Sequence, residues 1–252
     1  MNYMPNATAV PFADCHLRQL PSLQDFADDE LRTVEQLELG HRRAERDAVL
    51  LRAGEETAFT LFTGWAFRFR LLPDGRRQLL GILLPGDTVG LETLLGEPPA
   101  YSVQAASDVT LCLLDAPRAA RCMMVEPWLR QRIFARLCKE REASDELLTR
   151  IGQCDAEERV TWLLLDLHTR LQRRGLATDH SFSLALRQQH IADLLGLNVI
   201  HLSRVLRRLR GRELVTITGR EVILQDIPAL ERLATIQPRQ TGRRRVDQPA
   251  AA

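Results

Sequence analysis

The chain has 252 residues, a formal net charge of +1, 45% hydrophobic and 27% charged residues, which bounds it to one or two packed domains of ordinary composition. No run approaches the roughly 20 apolar residues that a membrane helix needs, and the five cysteines, scattered at 15, 112, 122, 138 and 154, form no disulfide framework. The opening MNYMPNATAVPFADC has neither a basic start nor a continuous apolar core, so no signal peptide is expected and the chain is expected to stay in the cytoplasm.

Residues 1–20 are polar and Pro-interrupted and are expected to be flexible. Ser22 is the candidate cap of a short helix ending near Gly40. From Ala44 to Leu114 the period changes to two: Trp65, Phe67, Phe69 and Leu71 alternate with Ala66, Arg68 and Arg70, the pattern of a strand with one buried and one wet face. Pro73-Asp74-Gly75 makes a turn. Gly81, Gly86, Gly90 and Gly96 then punctuate short strands over Gln78 to Leu84, Tyr101 to Ala105 and Val109 to Leu114, the signature of a sandwich or rolled barrel. Pro127, at a permitted first-turn position, opens a helix to about Gly152, roughly 39 Å long at 1.5 Å per residue. Ile133, Leu137, Leu147 and Ile151 form its apolar stripe, interrupted by Glu140 and Ser144. The stripe serves either packing on its own roll or a parallel seam with a second copy.

Asp155 to Arg174 reads as an amphipathic helix and Ser181 to Leu186 as a strand. Leu186, Ile191, Leu194 and Leu195 then give one face of another helix, Gly196 supplies a tight bend, and Asn198 is a good N-cap for the next helix. Leu202, Val205, Leu206 and Leu209 face inward there, whereas Ile200, Ser203, Arg204 and Arg207 point outward. A hairpin follows. Between Arg187 and Glu221 seven Arg (187, 204, 207, 208, 210, 212, 220) face three acids (Asp193, Glu213, Glu221), a surplus of four. An Arg-rich outward face on the second helix of a helix, turn, helix, wing sequence suits the DNA major groove. Beyond residue 235 the GRRR run and QPAA end are expected to form a disordered basic tail.

HIADLLGL, SRVLRRLR, the short wing and CDAEERV (Cys154 to Val160) together resemble the DNA-binding domain of the Crp/Fnr family of bacterial transcription regulators, and the resemblance covers roughly residues 20–235. It implies an α+β fold. The expected order is a flexible 1–20, an antiparallel β-roll sensor over 21–126, a dimerisation helix over 127–152, a winged helix-turn-helix over 153–235 and the tail 236–252. The stretch from Leu84 to Gly90 resembles the GDxxG segment of the family's cyclic-nucleotide-binding-type roll. By position, Ser203 and Arg204 match the family's base-reading pair and Gln189 a phosphate contact. The expected DNA-contacting set is Arg187, Gln189, Asn198, Ile200, His201, Ser203, Arg204, Arg207 and Arg208. Ile200, followed by His201, departs from the family, most members of which place there a Glu that accepts from cytosine. The expected dimer seam is Ile133, Leu137, Glu140, Ser144, Leu147 and Ile151. Two copies then read half-sites about 34 Å apart on a palindrome.

The effector stays unassigned. Members that bind cyclic AMP carry a Glu after the roll's second glycine and an Arg-Ser pair, but here Leu91 follows Gly90 and Pro98-Pro99-Ala100-Tyr101 fills the later stretch, so cyclic AMP is not expected. The oxygen-sensing branch holds an iron–sulfur cluster on four cysteines. Only Cys15 and Cys112 match, an incomplete set, and Cys112 also reads as a small buried hydrophobe. A haem on His16 or His41 rests on single histidines, and Cys138 beside Lys139 is the candidate redox thiol.

No GxGxxG, P-loop lysine, HExxH or CxxC pair occurs, so no enzyme is expected. The implied partners are double-stranded DNA, a second copy of the chain and RNA polymerase, with no membrane. The rival reading is a ligand- or redox-sensing module acting through a protein partner.

Overall fold

The structure, a computed structural model, describes residues 26–235. The expectations for residues 1–20, the Ser22 cap, Cys15, His16 and the basic tail lie outside these residues. The first helix, α1 (Asp28–Gln36), carries Asp28, Asp29 and Glu30 in its first turn, where the helix dipole favours acids. It stops well before Gly40. Leu37 is buried and β1 (Glu38–Ala44) begins at once, with Gly40 at φ 129 where the register against the strand Val109–Leu114 slips by one residue.

Two four-stranded antiparallel sheets face each other. One runs β1, β8 (Val109–Leu114), β3 (Ala58–Thr63), β6 (Thr88–Val89); the other runs β2 (Val49–Leu51), β7 (Ser102–Ala105), β4 (Ala66–Leu71), β5 (Arg77–Leu83). Phe59, Leu61, Ala66, Leu83, Val103 and Leu111 fill the space between them. Gly90 closes the roll tightly, since a Cβ there would stand 2.1 Å from the Thr57 carbonyl oxygen.

The alternation on β4 is real, but its faces are assigned differently from the sequence expectation. Ala66 is wholly buried inside the roll, and Arg68 is half-buried with its guanidinium 2.8 Å from Glu140. The opposite face, with Trp65 and Phe67, is buried too, in a core shared with the C-terminal helices, while Leu71 at the strand's end is 66% exposed. The strand is covered on both sides because a second domain packs on the roll's outside.

After the roll come α2 (Ala116–Val125), whose Asp115 cap accepts from the Arg118 amide, and α3 (Pro127–Gln153), 27 residues long. Next is α4 (Ala156–Gln172), started by a reciprocal cap: Asp155 accepts from the Glu157 and Glu158 amides and Glu158 accepts from the Asp155 amide. The C-terminal unit is completed by β9 (Ser181–Ser183), α5 (Gln188–Leu195), α6 (Val199–Gly211), β10 (Val215–Thr218), β11 (Glu221–Leu224) and α7 (Ile227–Ala234). Its strands form one antiparallel sheet in the order β10, β11, β9.

Candidate nucleic-acid interface

Gly196, at φ 64, ends α5 in the left-handed conformation, which glycine adopts without steric cost. Two residues later the Asn198 side chain accepts from the His201 amide at 2.7 Å and starts α6. Leu202, Val205, Leu206 and Leu209 bury one face of α6 against the domain core. Ile200, His201, Arg204 and Arg207 are exposed and Ser203 is half-buried. Arg204 and Arg207 have no hydrogen-bond or ion-pair partner among the described residues. Their guanidiniums therefore remain available to an anionic or hydrogen-bonding partner outside the subunit.

Of the expected set, Arg208, Arg187 and Gln189 are held by the protein itself, and so is Arg212 outside that set. Arg208 and Arg212 reach the Glu157 carboxylate at 3.1 and 2.5 Å, bracing α6 against the start of α4. Arg187 pairs with Asp47 of the roll at 2.6 Å, and Gln189 donates to Asp193 at 2.6 Å. A residue absent from the expected set, Arg220, is exposed in the two-residue turn between β10 and β11, beside Gly219 at φ 61. The Thr-Gly-Arg-Glu spacing between two apolar runs is the sequence signal that locates this turn.

The α5 helix is seated on the roll. His190 is buried, its ring 4.6 Å from that of Phe67, and its Nδ1 accepts from the Arg187 amide at 3.3 Å. Burial, then the charges of Arg77 and Arg187, pushes its pKa down to about 4.

Of the expected seam, Ile133 and Leu147 are buried in cores of their own chain. Glu140 is held by Arg68 and Arg136 at 2.8 and 3.3 Å, Leu137 and Ile151 are half-buried, and Ser144 is exposed. The large apolar residues that α3 leaves exposed are Phe134 and Leu148.

Inside the roll, Tyr101 is buried; its hydroxyl accepts from the Gly90 amide at 3.4 Å and donates to Glu92 at 3.3 Å. Arg68 lies 5.2 Å from the Tyr101 ring centroid while holding Glu140. Cys112 is buried in β8 between His41 and Thr60 of the adjacent strands. Burial raises the Glu38 carboxyl above its usual range, and a hydrogen bond with the Cys112 thiol holds it back. His41 is buried beside Phe62, which lowers its pKa. Of the remaining cysteines, Cys138 is exposed, Cys122 half-buried and Cys154 buried.

Residues 41–125 match the cyclic nucleotide-binding domain family and residues 158–233 the Crp-like helix-turn-helix domain family. The chain is 30% identical to the transcriptional activatory protein AadR of Rhodopseudomonas palustris, over 71% of this chain and 74% of that one. It is 29% identical to the transcriptional activator protein FnrL of Cereibacter sphaeroides, over 86% of this chain and 89% of that one. The solved structure of FixK2 from Bradyrhizobium japonicum superposes with a TM-score of 0.72 at 25% identity, covering 79% of this chain and 98% of that one.

Proposed function

Because this chain belongs to the Crp/Fnr family of DNA-binding transcription regulators, we propose that it works as a homodimer whose two α6 helices read a two-fold symmetric DNA site. The observation that carries this reading is the outward stripe of α6, where Arg204 and Arg207 stand exposed and uncommitted while Arg208 and Arg212 are tied down by Glu157. A guanidinium free of internal partners can donate twice to a guanine edge. Arg187 and Gln189 flank the duplex backbone in this reading, and Arg220 reaches it from the wing.

The second copy docks along α3. Phe134, Leu137, Arg141, Ser144, Leu148 and Ile151 follow the three-four spacing of a coiled-coil seam, and Phe134 and Leu148 are 48% and 68% exposed in the single chain. This seam keeps Leu137, Ser144 and Ile151 of the expected set and replaces Ile133 and Leu147, which the chain's own cores take up, and Glu140, which Arg68 and Arg136 hold. Transcription control further calls for RNA polymerase as a partner, in the cytoplasm, where DNA and polymerase meet.

The roll's residues do not fit a cyclic nucleotide. Arg68, 5.2 Å from the Tyr101 ring, is engaged by Glu140, Leu91 is a buried apolar side chain where an acid would be required, and the Tyr101 hydroxyl is taken up by Gly90 and Glu92 where a phosphate partner would be required. A cyclic phosphate there would lack its charge-assisted donor.

Selection of bound duplexes from a random pool, followed by sedimentation of the complex, tests the proposal. Two chains on one inverted repeat, with affinity falling steeply as salt rises, is the expected result. Equal binding to selected and scrambled duplexes, or one chain per site, would overturn it.

A further inference from the structure

Ile200 is the second residue of α6 and is 67% exposed. A lone exposed isoleucine is unremarkable on a protein surface; its place on this helix is what matters. At about 100° per residue, Ile200 lies within roughly 60° of Ser203, Arg204 and Arg207. It sits opposite the buried face of Leu202, Val205, Leu206 and Leu209. The Asn198 cap at 2.7 Å fixes the turn that carries it. An aliphatic group is thus held at the N-terminal end of a stripe of hydrogen-bonding side chains.

The floor of the major groove offers one apolar feature, the 5-methyl group of thymine. Against any other base edge, Ile200 would strip water from donors and acceptors and return no hydrogen bond. The same side chain therefore favours thymine and penalises guanine and cytosine. Ser203 and Arg204 lie about 4.5 and 6 Å further along the helix axis, and base pairs are about 3.4 Å apart. The selected base consequently falls within about two base pairs of the one that Arg204 reads.

We infer that Ile200 is a specificity-determining residue that selects thymine through its methyl group, within about two base pairs of the one contacted by Arg204, a role that rests on α6 being the DNA-reading helix.

The test uses the full chain and its selected duplex. Each thymine within two base pairs of the guanine whose preference disappears in Arg204→Ala is replaced by deoxyuridine, which removes only the methyl. The wild-type chain should lose about fourfold in affinity per methyl removed. Ile200→Ala should bind thymine and uracil duplexes equally, and Ile200→Val should keep part of the difference. Alanine at this exposed helical position leaves the fold intact, which a thermal melt verifies. Selective binding that is indifferent to every methyl, a selected site with no thymine in the window, or full discrimination by Ile200→Ala would overturn the role of Ile200 and leave α6 as the reading helix. Loss of all sequence preference by the wild-type chain would remove both.

Discussion

Arg77 on β5 and Asp193 on α5, far apart in sequence, meet across the boundary between roll and DNA-binding domain. The guanidinium donates from Nε and Nη2 to one carboxylate oxygen at 3.1 and 2.9 Å. The other oxygen accepts from Gln189, and the neighbouring Gln78 donates to the Asp193 carbonyl at 2.9 Å. Arg77 also lies 5.1 Å from the Phe67 ring centroid, on the strand face that His190 covers. The helix that precedes α6 is therefore fastened to the roll by charge, hydrogen bond and aromatic contact together.

Arg77→Ala should lower global stability by about 2 kcal/mol, because it leaves a shielded carboxylate without its cation. The pair is only 24% and 14% exposed, whereas Arg76 and Asp74 form a solvent-facing pair one residue away. Arg76→Ala should leave the urea midpoint unchanged. Equal midpoints for the two variants would show that the Arg77 contact contributes nothing to stability.

Asp87, in the GDxxG segment, binds three guanidiniums: Arg136 of α3 at 2.8 Å, and Arg170 of α4 and Arg174 at 3.2 and 2.7 Å. Burial alone would raise its pKa, but Arg136, Arg170 and Arg174 outweigh that and hold it down to about 2. The folded value lies below the unfolded one near 4. Its stabilisation is therefore complete above about pH 4 and is lost as pH falls toward 2, a loss on the order of 2 kcal/mol. Asp87→Asn should cost about 3 kcal/mol or more at neutral pH, since three cations lose their shared anion. The variant should also flatten the unfolding profile between pH 4 and 2. An unchanged acid slope in Asp87→Asn would remove this residue as the source.

His190 acts in a separate window. Its folded pKa near 4 lies below the ordinary value near 6.5, so the unfolded chain binds the proton first. Stability is full above about pH 6.5 and declines as pH falls toward 4. His190→Gln, which keeps a polar side chain without that titration, should suppress the decline, by roughly 3 kcal/mol at pH 4. Parallel unfolding curves at pH 7 and 4.5 for variant and wild type measure it. Identical pH slopes in the two proteins would place the titration elsewhere.

The helix-turn-helix is legible in the sequence because each of its residues answers to one neighbourhood: Gly196 bends, Asn198 caps, and α6 has one apolar and one polar face. The covering of the roll is not. Alternation along β4 states that two faces differ, but which is wet depends on α4 and α5, which arrive a hundred residues later. Arg68 is on the face that alternation marks as wet, yet it points at Glu140 inside the molecule. The use of the α3 stripe is hidden for a related reason. Ile133, Leu137, Leu147 and Ile151 do share one side, but their spacing cannot tell how far the chain's own cores cover each: Ile133 and Leu147 are buried, whereas Leu137 and Ile151 are only half-buried. Ion pairs such as Arg77 to Asp193 carry no local pattern at all.

Arg204 and Arg208, one turn apart on α6, should separate recognition from bracing. Arg204→Ala should weaken selected duplexes by about 1 to 3 kcal/mol and scrambled ones far less, as expected for a guanine contact. Arg208→Ala breaks only the 3.1 Å pair with Glu157, on a side chain that is 52% exposed. It should leave the selected sequence unchanged. Competition binding on both duplexes decides the matter, and equal losses on cognate and scrambled DNA for Arg204→Ala would take away its base-reading role.

Phe134 and Ile133 are adjacent on α3, yet they should report on different equilibria. Ile133 is 7% exposed among Leu129, Met123 and Leu94, whereas Phe134 is 48% exposed with no core of its own chain to enter. Burying a carboxylate in a packed cluster costs several kcal/mol, so Ile133→Asp should lower the urea midpoint sharply. Phe134→Asp should leave that midpoint near the wild-type value for a single chain. In the dimer, however, it removes an aromatic anchor from each side of a two-fold seam, and at roughly 1.5 to 3 kcal/mol per buried aromatic the dimer should weaken by about a hundredfold or more. Sedimentation equilibrium over a range of concentrations separates the two effects. A Phe134→Asp chain as dimeric as wild type would put the seam elsewhere on α3. If it is instead a folded monomer, its affinity for an inverted repeat should fall to that for one half-site, because the two reading helices are then no longer held together.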